Sequence, residues 1–337
     1  MRRLLVVSDL YPGSDEPAAG AQEQLPQLPA LSQLLHLGRP GGRHHDWRAG
    51  LAADMGVPAL AEVAVAQVAA CAVAGLLPGG PVCMADPVHL VAGMASVHMH
   101  PSGLLSLDDV ALAWLQDEFA REFGASHQQL HVAGGGMLLA CEAAAAACES
   151  EPARLLGSPI ETARSPDPAL RALRRLGAEV EMWLAGLALN RDREHRGQLP
   201  VSALWFWGGG AGALPEVHSA ALPWSQAFGA DAWLQGCWKT LTGSSALLAT
   251  RWEDLPDASS IVVASAARNS PAGVGTLSQL EEDWFAPALR DLDAGRLSAL
   301  TLRIGGRRWD LGSRPRTRWL RRSRWWRSRP WWQVLTA

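Results

Sequence analysis

The sequence is short of lysine, of cysteine pairs and of long apolar runs, and each shortage removes a class of protein. Lysine occurs once, at Lys239, among 30 basic residues. Basic character is therefore almost all arginine, and the presence of an arginine by itself marks no site. Cysteine occurs at Cys71, Cys83, Cys141, Cys148 and Cys237. An odd count with no CxxC spacing argues against a disulfide framework and against a cysteine-rich zinc site. Cys71, Cys141 and Cys148 fall in alanine-rich stretches read as helical, where a free thiol behaves as a small hydrophobe. No window holds 18 consecutive apolar residues. Residues 59–77 come nearest, but Glu62 and Gln67 interrupt them, so they read as a buried helix rather than a membrane span. The opening MRRLLVVSD carries a basic pair and an apolar stretch too short for a secretory signal, so a cytoplasmic protein is expected. Neither GxxxxGK[ST] nor GxGxxG occurs, so the P-loop and dinucleotide fingerprints are absent.

What is present supports a large folded body. The chain has 337 residues, 48% of them hydrophobic and 19% charged. At roughly 100–200 residues per domain this predicts about two domains. The net charge of −3 hides an asymmetry. Residues 303–329 hold eleven arginines and one acid, Asp310, for +10, and the remainder carries −13. Opposed blocks of this kind point either to a basic interaction tail or to a tail folded onto its own acidic body.

Along the chain, residues 3–8 read as a buried strand that delivers Asp9 at its carboxyl end, where ligands bind in open α/β sheets. A short helix is expected over 29–37, a polar loop over 41–46, which holds His44-His45-Asp46, and a long helix over 60–77. Strands are expected over 81–89, 91–100 and 130–133. The helix over 105–123 takes Ser106 as its N-cap, with Asp108 and Asp109 in its first turn. Residues 150–168 read as a linker, and 167–189 as a second long helix that continues into a polar segment over 190–197. Residues 201–207 form a strand ended by glycines. Helices follow around 231–242, 257–268 and 276–292, and a hairpin turning on Gly305-Gly306 closes the body over 299–310. Alternating helices and strands predict an α/β fold.

One segment is specific. Residues 190–210 read NRDREHRGQLPVSALWFWGGG, preceded by the helix GAEVEMWLAGLAL. This resembles a bacterial family described as RpfE-type regulatory proteins, also labelled phosphoglycerate-mutase-like, with a helix ending in Asn, an Arg/Glu-rich turn and a Trp-Phe-Trp-Gly-Gly-Gly strand end. The stretch ADPVHL over 85–90 and the Trp/Arg-rich terminus are similar as well. More distantly, VVSDL over 6–10, LPALSQLL over 28–35 and residues 205–236 resemble archaeal-type cofactor-independent phosphoglycerate mutases. The resemblance implies an α/β, alkaline-phosphatase-like core sheet flanked by helices, with an inserted smaller α/β subdomain. The core, in degenerate form, would span 1–80 and 211–312. The inserted phosphoglycerate-mutase-like subdomain would span 81–210, and the Arg/Trp-rich tail 313–337.

Enzymes of that superfamily use two divalent metals, held by roughly six to seven Asp and His ligands, to activate a nucleophile and stabilise phosphoryl oxygens. Asp9 would stand for the first carboxylate. The family pattern also demands an Asp-His-Gly strand end late in the chain, yet His218 is the last histidine and the corresponding strand end reads TLRIG over 301–305. Arginine there repels a metal. The expectation is a regulatory or ligand-sensing protein that keeps Asp9 as a vestige and needs no cofactor. Its ligand would be a phosphorylated or carboxylate small molecule, held by Asn190, Arg191, Arg193, Glu194, Trp207, Gly208, Gly209 and Gly210. One alternative is a divergent metal-dependent phosphomutase or phosphatase using manganese or zinc, with Asp86, His89, His98 and His100 as a further ligand group. Another is an adaptor whose tail, with Trp309, Trp319, Trp325, Trp326, Trp331 and Trp332 among its arginines, binds nucleic acid or an anionic membrane surface. The competing reading has that tail packed on the acidic body through cation–π and ionic contacts. A protein partner for the regulatory reading has no signature in the sequence.

Overall fold

The computed structural model describes residues 1–10, 26–76, 79–94, 96–160, 167–216, 222–266, 276–312 and 330–336. Two six-stranded sheets organise them. The first takes β1 (Arg2–Ser8) and β2 (Arg39–Pro40) from the start of the chain. The second takes β3 (Val82–Ala92), β4 (Val97–Leu104), β5 (Gln129–Ala133), β6 (Gly136–Ala140), β7 (Pro159–Ile160) and β8 (Ala203–Gly210) from its middle. The first is then completed by β9 (Gln226–Phe228), β10 (Ser260–Ser265), β11 (Ala299–Ile304) and β12 (Arg307–Gly312). Its order is β2-β12-β11-β1-β10-β9, with β9, β10, β1 and β11 parallel and the outer pair antiparallel. The α/β class follows as the alternation predicts.

The central strand β1 is apolar on both faces because both are covered, as parallel sheets require. Leu5 and Val7 pack with α1 (Pro29–Leu37) on one side. Leu4 and Val6 pack on the other with α2 (Trp47–Asp54), and α3 (Val65–Ala70) lies against the same side through Val68. In the second sheet, α4 (Asp109–Phe123) and α5 (Pro168–Ala185) bury Leu112, Leu115, Phe119, Leu173, Leu176 and Val180 against β3, β6 and β8. The helix α6 (Ala188–His195) follows a break at Gly186, and α7 (Ala232–Thr242) returns to the first sheet. The stretch after β10 runs α8 (Thr276–Leu280), a π turn (Glu281–Phe285) and α9 (Ala286–Asp293). Among the described residues no helix is long and apolar enough to cross a membrane.

Several elements differ from their sequence reading. Where a helix is expected over 257–268, Ser260–Ser265 form a strand, β10, while 267 and 268 lie outside the described residues: the strand reads SIVVAS, and its β-branched core sits beside β1 where both faces are buried. The helix expected over 60–77 shrinks to a 3-10 turn (Pro58–Glu62) and the short α3. The alanine-rich run around Cys141 and Cys148 forms only a 3-10 turn (Glu142–Ala146), since it lies under β8. Ser106 does not cap α4. Asp108 does, its Oδ1 accepting from the Ala111 N–H at 2.8 Å. Burial pushes the Cys83 thiol well up and that of Cys237 up to about 12, so both are inert.

The tail is described only at its end. Arg314 to Arg329 lie outside the described residues, as does His218. The terminal helix α10 (Trp331–Thr336) buries Trp331 and Leu335 in the first-sheet core, and the Trp331 indole donates to Pro26 O at 3.1 Å.

The two sheets meet at a buried guanidinium. Arg48, on α2, is 4% exposed and pairs with Glu151 at 2.7 Å and with Asp231 at 3.8 Å. It lies over the rings of Trp47 and Trp207 at 4.4 and 5.2 Å, and the Trp207 indole donates to buried Asp86 at 2.7 Å. Beside it the β5–β6 turn reaches across, Gly135 N–H donating to Ala230 O at 2.6 Å. A Cβ at Gly134, which has φ 56°, would collide with that same carbonyl. Removing Arg48 would take from buried Glu151 its 2.7 Å partner and leave the longer pairing with Arg154 at 3.7 Å, so Arg48→Met should lower unfolding free energy by about 3 kcal/mol, measured by urea denaturation. Another buried carboxyl, Glu281, accepts from Ala30 and Leu31 N–H at 2.5 and 3.1 Å and so caps α1. Burial outweighs those bonds and lifts its pKa above the ordinary 4.5. Its stabilisation is therefore full below that value and is lost as pH rises through the folded pKa. Comparing stability–pH curves of wild type and Glu281→Gln should show that slope only in the wild type.

Candidate functional site

Parallel strands present their carboxyl ends to one edge, and ligands bind there in open α/β sheets. In this fold that edge faces the second sheet across a cleft of about 590 Å³. β1 delivers Ser8 and Asp9, β10 delivers Ser265, and the turn after β9 delivers Asp231. The opposite wall comes from Ser106 and Asp109 at the start of α4 and from Gly135.

Asp9 is the focal residue. Its backbone is left-handed, with φ 61°, a conformation that costs a non-glycine residue and that Asp tolerates better than most. Its carboxylate accepts from Ser265 Oγ at 2.6 Å and from Ser8 Oγ at 3.4 Å. Ser8 and Ser265 are register partners at the ends of the two central strands. Asp231 caps α7, accepting from Leu234 N–H at 3.0 Å. Asp283 accepts from the Gln279 amide at 2.7 Å on a third side. The described lining thus offers Asp9, Asp109, Asp231 and Asp283 and no Arg, Lys or His. Such a field concentrates cations and repels multiply charged anions.

A metal pair of the kind the family resemblance implies finds no ready ligand set among the described residues. Among the described residues no group of three or more His, Cys, Asp or Glu side chains could hold a metal ion. The carboxylate at Asp9 is engaged by two hydroxyls. At the β11 end, Arg303 is 1% exposed and faces α2, where it donates to Asp54 Oδ2 through Nε at 3.1 Å and Nη2 at 2.8 Å. Arg308 shares the same carboxylate, and a Cβ at Gly50 would collide with the Arg303 guanidinium.

The other residues singled out in the sequence take different places. Asn190 is a staple: its amide donates to Leu184 O and Val201 O, both at 2.8 Å, and its Oδ1 accepts from Val201 N–H at 2.7 Å. Arg193 Nε donates to Leu199 O at 2.8 Å, while Arg191 and Glu194 are exposed. Gly208, Gly209 and Gly210 continue β8, where a Cβ on Gly209 or Gly210 would strike Ala144 or Ala64. They serve close packing. The Asn190 staple and the glycines sit at opposite ends of β8, about 25 Å apart at 3.3 Å per residue. One small ligand cannot span them, and Trp207 between them is buried against Asp86.

The expected metal group is likewise divided. Asp86 accepts from Trp207, and His98 Nε2 bonds Ser96 Oγ at 2.8 Å. His89 Nδ1 bonds Pro200 O at 2.9 Å, and burial lowers its pKa. Only His89 and His100 come together, ring to ring at 5.6 Å. The polar loop over 41–46 holds His45 and the α2 cap, Asp46, whose Oδ1 accepts from Ala49 N–H at 2.7 Å.

Sequence reasoning found Asp9 and missed Ser265, Asp231 and Asp283. The signal for Ser265 was present, because VVS over 6–8 and VAS over 263–265 are matched strand ends.

No family model and no curated protein matches the chain. Among solved structures, a cofactor-independent phosphoglycerate mutase from Thermoplasma acidophilum DSM 1728 is 17% identical, with 92% of this chain and 89% of that chain covered at a TM-score of 0.40. The PH0037 protein from Pyrococcus horikoshii is 13% identical, with 92% and 87% covered at a TM-score of 0.44.

If Asp9 serves the Ser8–Ser265 contact, Asp9→Ala should cost about 1–3 kcal/mol, chiefly through loss of the 2.6 Å bond from Ser265, since Ser8 Oγ keeps Ala264 O as an acceptor. Asp9→Asn, which keeps an acceptor and tolerates the left-handed backbone, should stay within about 1 kcal/mol of wild type. Urea denaturation of both variants checks the difference.

Proposed function

We propose that this chain is a regulatory, ligand-sensing protein on a scaffold derived from a cofactor-independent phosphoglycerate mutase, acting in the cytoplasm without dinuclear metal phosphotransfer. The observation that carries the reading is the donor set of the cleft. Where a phosphoryl group would need two held metal cations or an arginine clamp, the described lining supplies no basic side chain, and its four aspartates belong to no group of three that could hold a metal ion. The Arg303–Asp54 pair supports it from the other side, since the strand end that the family pattern reserves for ligands carries a cation aimed into a structural ion pair. The RpfE-type regulatory label rests on the likeness of residues 190–210, and the Asn190 staple gives that segment a folding role.

One observation favours a second reading, a divergent metal-dependent phosphotransferase. A strained non-glycine residue at a strand end beside hydroxyls is where active sites store strain, and Asp9 is such a residue.

Elemental analysis of protein purified with manganese and zinc, paired with an assay of 2- and 3-phosphoglycerate interconversion, separates the two. The regulatory reading expects well under one equivalent of metal and no turnover. Two equivalents with metal-dependent turnover would overturn it.

A further inference from the structure

A second cavity of about 500 Å³ lies between α4 and α6, separated from the main cleft by Ser106 and Leu107, which line both. We propose that it binds a small organic monocarboxylate through Arg193 and Arg196. The proposal concerns this cavity alone and stands whether or not the main cleft turns over a substrate.

The argument starts from the buried arginines. Among the described residues four are buried: Arg3, Arg48, Arg193 and Arg303. Arg48 and Arg303 are neutralised by Glu151 and Asp54. Arg3 donates to two carbonyls, Leu255 O and Pro256 O, and lies over the Trp252 ring at 4.4 Å. Arg193 differs. It is 7% exposed, its Nε is bonded to Leu199 O, and its other N–H donors have no hydrogen bond or ion pair among the described residues. Its terminal edge is paired with no carboxylate at hydrogen-bond distance among the described residues and borders the cavity, where a ligand can reach it. Burial and the Arg196 charge push its pKa down, and the Asp108 charge opposes this only in part.

The chemistry of the walls narrows the occupant. With Nε engaged, the two terminal nitrogens of Arg193 form a fork that matches the two oxygens of a carboxylate. Arg196 adds a second cation from the next turn of the chain. Asp108 and Asp192, both exposed, stand on the same lining and repel a second negative charge. Discrimination by unfavourable charge of this kind selects a monoanion over phosphate or a dicarboxylate. Trp114 and Leu189 supply the apolar surface for a hydrocarbon or aromatic body.

Titration calorimetry of the full chain with phenylacetate, succinate and inorganic phosphate tests this. Phenylacetate should bind, with succinate and phosphate at least tenfold weaker. Arg196→Ala should weaken phenylacetate about tenfold, the loss of one charge-assisted contact. Arg193→Gln should weaken it further. Because Arg193 also holds the loop at Leu199, a third variant, Ala188→Phe, fills the cavity from its α6 wall and should abolish binding with the circular dichroism spectrum unchanged. Absence of phenylacetate binding to the wild type would overturn the site, as would equal affinity in folded Arg196→Ala and Ala188→Phe proteins. Phosphate or succinate binding as tightly as phenylacetate would overturn the monocarboxylate assignment.

Discussion

Arg48 is a cation held almost wholly out of water, and the placing of the two sheets follows from how it is neutralised. Glu151 comes from the segment between β6 and β7, and Asp231 from the first sheet's β9–α7 turn. Their common attraction to one guanidinium fixes the separation of the two walls of the cleft. Asp231 also caps α7 and lines the cleft, so junction, helix and site share one carboxylate. The neighbouring residue, Ala230, gives its carbonyl to the β5–β6 turn. Any change of cleft width must therefore move a charge pair, a helix cap and a turn together. This is the arrangement expected of a body with discrete settings rather than a continuously soft hinge.

The parts of the fold legible in the sequence are those whose local signals agree with their tertiary surroundings. β1 could be read from its apolar run and the β11–β12 hairpin from Gly305-Gly306. Asp167 and Asp231 mark helix starts, and both side chains accept from backbone N–H groups there. Asp9 followed from the strand it ends. The failures have physical causes. Residues 260–265 carry a short β-branched run, and periodicity cannot separate a fully buried strand from a buried helix segment over so few residues. The alanine-rich stretches promise helix by propensity, but small side chains also suit close contact with strands, and packing under β8 wins. The segment over 190–210 looked like one ligand site because its polar residues and glycines adjoin in sequence. An extended strand carries them apart, so adjacency in the chain becomes separation in space.

The same contrast governs the arginines. Composition gave eleven of them between residues 303 and 329 and invited a single explanation. The three in the described part are not a free basic surface. Arg303 and Arg308 converge on Asp54, and Arg307 donates to Val334 O in α10 at 3.5 Å. Asp54 thus draws two members of the basic block into the acidic body, and α10 fastens the far end of the tail to the core through Trp331 and Leu335. Charge that is committed to internal pairs cannot also neutralise phosphates or lipid headgroups without breaking those pairs. Whatever the intervening eight arginines contact, the block divides into a structural part and a remainder, and its net +10 overstates the charge available to any partner.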